Sequence, residues 1–248
     1  MIGLIDSGVG GLSVLAAIEA VLPYEDCIYY ADTAHFPYGN KPLVEILRYC
    51  MEATAFLLSK RIDVLVIACH TATIAALETL QKNFPIPIIG MVKPTIRATR
   101  EGKTALLATQ TTIDSGVYQK AFFELICMTC PELVEKIQSG KTDFHPLIQK
   151  GIHPILGNRI DSLILGCSHF AFAFHEIEEE LDQGTRLINP ALAVAQELSH
   201  HIQNPRPKSH SPKHTLYVSG EVAPFEAFIE KHSPVAPYEV VPTPVGNS

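Results

Sequence analysis

The chain has 248 residues, 47% of them hydrophobic and 18% charged, with a formal net charge of −7. That supplies ordinary packed cores for one large domain or two smaller ones, without disulfide or metal staples. The acidic balance and the lack of a basic cluster argue against nucleic acid as the main partner, and no apolar run approaches the roughly 18–20 residues of a membrane span.

Residues 2–5 read as a strand that begins at once, which argues against a signal peptide. Asp6 and a turn rich in glycine (Gly8, Gly10, Gly11) follow, then an apolar helix over 12–21. Residues 27–31 form the next strand, and the loop Phe36-Pro37-Tyr38-Gly39-Asn40 leads to Pro42 in the first turn of a helix reaching about residue 60. A strand at 64–68, a helix at 71–83 and a strand at 87–91 complete a β-α-β run, the signature of a parallel sheet covered on both faces. The pattern then restarts: strand 104–109, helix 115–126, strand 163–166, a short strand at 186–188 and a helix over 191–201. Residues 204–212 are a linker by composition. Beyond them lie a strand at 215–219, a helix at 224–232 and an extended tail.

The six cysteines stand at 27, 50, 69, 127, 130 and 167. In a chain of this size with no export signal, free thiols are expected. Cys127-Met128-Thr129-Cys130 is a lone C-x-x-C with no second pair, and reads as helix packing.

Two cysteines stand apart. Asp63-Val64-Leu65-Val66-Ile67-Ala68-Cys69 is echoed by Asp161-Ser162-Leu163-Ile164-Leu165-Gly166-Cys167. Each is an apolar run ending in a small residue and a thiol, as a buried parallel strand with a cysteine at its C-terminal end would read. Ligands of open α/β sheets bind at those ends. Each cysteine also precedes polar residues, His70-Thr71 and Ser168-His169, where a strand feeds a helix N-terminus that lowers a thiol pKa. Filling a strand end needs no such repetition, and one nucleophile would suffice for covalent catalysis. With His70 and His169 the pair would make a zinc set. A phosphatase would need an arginine soon after the cysteine, and neither 69–78 nor 167–176 has one. Deprotonation on one face of a carbon and reprotonation on the other requires two such groups.

The segment Asp6-Ser7-Gly8-Val9-Gly10-Gly11 is not a dinucleotide fingerprint, because position 13 is Ser rather than Gly. Its backbone N–H groups and Ser7 suit a carboxylate ligand, with Asp6 left as a base or an ammonium partner.

Together these segments resemble the glutamate racemases of the aspartate/glutamate racemase family. The likeness is colinear over residues 2–200 and includes the Asp6–Gly11 turn, Asp32-Thr33 with Pro37-Tyr38-Gly39-Asn40, both cysteine segments, Thr109 through Thr112 to Tyr118, and Cys130-Pro131. Tyr217-Val218-Ser219-Gly220 and Phe225 resemble the family's closing strand and helix. The resemblance implies an α/β fold of two similar lobes, each a mostly parallel sheet flanked by helices, with the active site in the cleft between them. Residues 1–92 plus 209–248 would form one lobe and 93–208 the other. It implies interconversion of L- and D-glutamate without cofactor, metal or nucleotide, in a bacterial cytoplasm and supplying peptidoglycan synthesis, and it is compatible with a homodimer. Cys69 and Cys167 would be the acid/base thiols, assisted by Asp6 and His169. Ser7, Pro37, Tyr38, Gly39, His70, Thr71, Thr112 and Ser168 would hold the substrate.

Several positions depart from the family pattern. The first cysteine is followed by His70 instead of Asn, and the second by Ser168 and, after His169, Phe170 instead of Thr and Tyr. Gln138 stands where a glutamate that would orient His169 is expected, Val92-Lys93-Pro94 replaces Ile-Glu-Pro, and Asn189-Pro190-Ala191 replaces Asp-Pro-Ala. Two other readings therefore stay open: a racemase of another acidic amino acid such as aspartate, and a homologue that binds a ligand or protein without catalysis.

Overall fold

The computed structural model describes residues 1–232 and 237–243. The apolar runs become strands buried on both faces: β1 (Ile2–Asp6), β2 (Cys27–Ala31), β3 (Val64–Ile67) and β4 (Ile88–Gly90) in the first half of the chain, then β5 (Thr104–Ala108) and β7 (Ser162–Gly166) in the second. With β6 (Leu125–Met128), β8 (Arg186–Ile188), β9 (His214–Val218) and β10 (Tyr238–Pro242) they make two sheets among the described residues. One has the order β10-β9-β2-β1-β3-β4 and the other β6-β5-β7-β8, and every pairing is parallel. Parallel pairing needs crossovers, and the helices α1 (Leu12–Val21), α2 (Leu43–Ser59) and α3 (His70–Asn83) supply them between β1 and β4, while α4 (Val92–Ala98) leads from the first sheet to the second. The chain finally returns to that sheet, where β9 pairs with β2.

The two sheets are not independent bodies. One apolar cluster runs from Ile2 and Leu4 on β1, through Leu15 and Ile18 on α1, to Leu163 and Leu165 on β7. Helix α9 (Pro190–Ser199) follows β8 and packs on α1 and α4. The 204–212 segment lacks helix and strand but is pinned: Arg206 N–H donates to Glu25 Oε1 at 2.7 Å, His210 Nε2 to Asp26 Oδ1 at 2.8 Å, and Lys213 N–H to Asp26 Oδ1 at 3.0 Å.

Three sequence expectations need correction. The helix expected over 115–126 is a short α5 (Gln110–Asp114), capped by Thr109 Oγ1 on Thr112 N–H, then a turn and strand β6. Gly116 takes φ +70°, a left-handed conformation that stops the helix, and the ring of Tyr118 is fully buried in the turn. Cys127 and Cys130 accordingly share no helix; one lies on edge strand β6 and the other caps α6 (Pro131–Gln138). The closing tail is in part β10, while residues 244–248 lie outside the described ones. Helices α4, α6, α7 (His145–Ile152) and α8 (Phe174–Glu179) had no counterpart in the sequence reading.

Candidate active site

The C-terminal ends of β1, β3, β5 and β7 converge on a cavity of about 250 Å³. Cys69 and Cys167 both line it, one from each sheet, together with Ser7, Pro37, Tyr38, Gly39, Thr71, Ser168 and His169. Three predicted site residues do not line it. Asp6 lies one layer behind, Thr112 is buried beneath Thr109, and the His70 ring is turned toward Tyr118, centroid to centroid 6.4 Å. Phe36, Thr109 and Glu135 do line it without having been singled out as site residues. Glu135 repeats nothing elsewhere in the chain, so only the fold brings it there.

Cys69 caps α3: its sulfur accepts from Ala72 N–H at 3.5 Å and from Ser7 Oγ at 3.9 Å. These donors favour a thiolate, yet burial outweighs them and the neighbouring Asp6 adds to it, so the Cys69 thiol is pushed up to about 12. Burial raises Cys167 as well, with the proximity of Cys69 reinforcing it. The expected lowering of both thiols by helix N-termini is thus reversed.

Asp6 is wholly buried, and burial lifts its carboxyl to about 6 against the hydrogen bonds from Gly8 N–H (2.9 Å) and Ser168 Oγ (2.8 Å) that favour the ion. The Ser168 bond crosses from one sheet to the other. So does a chain of threonine hydroxyls, Thr71 to Thr109 at 2.9 Å and Thr109 to Thr112 at 3.0 Å, and Thr111 Oγ1 donates to the Gly39 carbonyl at 3.0 Å. Two N–H groups of the glycine turn are already engaged: Gly8 donates to Asp6 Oδ1, and Val9 to Gln138 Oε1 on α6 at 3.0 Å.

His169 sits 3.9 Å through Nδ1 from Cys167 Sγ and 2.9 Å through Nε2 from Gln138 Oε1, and burial lowers its pKa to about 3. Gly10 faces it so closely that an added Cβ would overlap Ser168 Oγ and His169 Nδ1. Asp32 braces the Tyr38 loop, accepting from Tyr38 Oη at 2.6 Å, Ser219 Oγ at 2.7 Å and His35 Nδ1 at 2.9 Å. Among the described residues no group of three or more His, Cys, Asp or Glu side chains is arranged to hold a metal ion. Of the four residues the sequence allowed as a zinc set, Cys69, Cys167 and His169 line the cavity, whereas the His70 ring is turned toward Tyr118.

Residues 2–198 match the Asp/Glu/hydantoin racemase family, most of the chain. The chain belongs to that family. It is an isomerase by kinship. A glutamate racemase of Stutzerimonas stutzeri is 40% identical over 79% of this chain and 80% of its own. A solved glutamate racemase isoform of Bacillus anthracis superposes with a TM-score of 0.88 at 31% identity, covering 99% of this chain and 98% of its own. A Francisella tularensis glutamate racemase, solved with D-glutamate, gives 0.85 at 26% identity over 97% and 96%. The two-lobed α/β architecture, with a parallel sheet in each lobe, is the racemase architecture. No helix among the described residues is long and apolar enough to cross a membrane.

Proposed function

We propose that this racemase-family chain interconverts L- and D-glutamate by two-thiol acid/base chemistry. The observation that carries the proposal is that Cys69 and Cys167, at the ends of matched strands in two different sheets, line one cavity. The relatives named glutamate racemase, one of them holding D-glutamate, support the choice of substrate. The thiolate of one cysteine takes the Cα proton, and the thiol of the other returns a proton to the opposite face. The centre is inverted, and the two thiols exchange protonation states. Burial disfavours the thiolate of both cysteines, so forming one needs a nearby cation or acceptor. The substrate ammonium supplies the charge, and His169 Nδ1 and the ionised Asp6 carboxylate supply acceptors. Ser7, Pro37, Tyr38, Gly39, Thr71 and Ser168 hold the substrate, with Thr112 behind Thr109, while His70, its ring turned toward Tyr118, makes no substrate contact. Neutral hydroxyl donors around the α-carboxylate stabilise the charge that develops as the proton leaves. The lobes run over 1–92 plus 209–248 and over 93–208, and the product D-glutamate feeds peptidoglycan synthesis in a bacterial cytoplasm.

The test is the Cα–H NMR signal of L-glutamate in D₂O with the purified protein, with circular dichroism in parallel. Loss of the signal together with decay of optical activity is the expected result. A stable signal and stable ellipticity would refute the proposal, and decay for L-aspartate alone would move it to another substrate.

A further inference from the structure

Among the described residues that line the cavity, Glu135 is the only one with a carboxylate, and the chemistry proposed above gives it no part. It stands on α6, whose Leu133, Val134 and Ile137 are buried, while Glu135 itself is exposed at the cavity mouth. The charges beside it on the helix are both paired, Glu132 with Lys150 at 2.9 Å and Lys136 with Asp143 at 3.7 Å. The Glu135 carboxylate has no hydrogen bond or ion pair among the described residues. Nor does the cavity offer a fixed positive charge. No described residue on its wall is a lysine or arginine, and burial holds the His169 pKa down at about 3. Asp6, one layer behind and bonded to Ser168 Oγ at 2.8 Å, adds a second acidic group. An anion that enters therefore meets negative charge at the mouth and no cationic side chain inside.

We propose that Glu135 is a specificity residue, an electrostatic gate that weakens the hold of the cavity on ligands with net negative charge. This rests on the glutamate reading above, since glutamate carries two carboxylates and a single ammonium. A sphere of the cavity volume is roughly 8 Å across, about the Debye length at physiological salt, so salt screens the carboxylate from a bound ligand only in part. Two like unit charges about 8 Å apart, at an effective dielectric of about 40–80, cost about two- to sixfold in affinity. The two enantiomers carry the same charge, so the gate acts on both alike. The equality of kcat/KM that an equilibrium constant of one demands is thereby kept. Repulsion that opposes entry also hastens departure, so neither enantiomer lingers in the cavity.

The experiment is calorimetric titration of the intact protein with racemic glutamate, whose composition racemisation leaves unaltered. Wild type is compared with Glu135→Gln, Glu135→Lys and Glu132→Gln at low and high salt, and turnover of each enantiomer is followed in parallel. In dilute buffer Glu135→Gln is expected to tighten binding about two- to sixfold, and Glu135→Lys by about that factor again. Both gains should fade near 1 M salt, where the Debye length is about 3 Å. KM should fall by one common factor for L- and D-glutamate. Glu132→Gln removes the same unit of net charge one turn back on α6, outside the cavity, and is expected to do less than Glu135→Gln. Equal gains from Glu132→Gln and Glu135→Gln would point to overall charge and overturn the gate. Unchanged affinity in Glu135→Gln at low salt would overturn it as well. Tighter binding in Glu135→Gln with no turnover in any of the four proteins upholds the gate and sinks the racemase reading instead.

Discussion

His70 opens α3 with its ring fully inside the protein and with neither nitrogen hydrogen-bonded among the described residues. An unsatisfied buried donor or acceptor costs about 1–3 kcal/mol, and an apolar group of similar shape in its place restores that energy. His70→Leu is therefore expected to stabilise the protein at pH 7 by up to about 1.5 kcal/mol once about 1.5 kcal/mol is set aside for imperfect fit. For a chain of this size that raises Tm by up to roughly 5 °C. The pH dependence sharpens the expectation. Burial holds the His70 pKa down at about 3 against an ordinary 6.5. Below 6.5 the unfolded chain takes up a proton that the folded ring refuses until about pH 3, so stability falls as pH falls through that window. Between pH 7 and pH 5 one such histidine costs about 2 kcal/mol. His169 carries the same sign, and Asp6, raised to about 6, carries the opposite one, but both are present in wild type and variant and cancel in the difference. Urea unfolding at the two pH values should find His70→Leu losing about 2 kcal/mol less than wild type. A variant that is destabilised at pH 7 and keeps the wild-type pH slope would show that the ring has a partner after all.

Cys69→Ser and Cys167→Ser should each slow racemisation by roughly 100-fold or more while the far-UV circular dichroism stays unchanged; full turnover in either would end the two-thiol assignment. Asp6 needs to be ionised to accept a proton, so turnover should drop as pH falls through about 6, and a pH–rate profile of Asp6→Asn should lack that limb. Gly10→Ala would drive a Cβ into Ser168 Oγ and His169 Nδ1, at a cost of about 1–3 kcal/mol in urea unfolding. Unchanged stability would mean that His169 can swing aside.

The strand ends were legible because their chemistry is local. Val64–Ile67 and Leu163–Leu165 are unbroken apolar runs inside strands, and each run is followed by a small residue and a thiol at the strand's C-terminal end. The 115–126 segment was misread because short apolar runs fit a strand or a helix alike, and the deciding facts, Gly116 in a left-handed turn and β6 pairing with β5, are not periodic signals. Sequence adjacency misled at His70. Consecutive helical residues point about 100° apart, so once Thr71 faces the cavity His70 turns toward Tyr118. At Gln138 the family pattern gave the position, but the bond to Val9 joins segments that only the fold brings together.

The placing of β9 beside β2 has a consequence for biosynthesis. Synthesis runs from the N-terminus, so β1 to β4 leave the ribosome with one side of β2 unpaired, and its partner β9 is made only after the entire β5–β8 sheet. The Tyr38 loop waits as well, because Asp32 receives Ser219, and Thr33 receives the Gly220 N–H, only when that late strand docks. The nascent protein thus carries an open sheet edge through most of its translation, and the cavity between the sheets is among the last parts to be assembled.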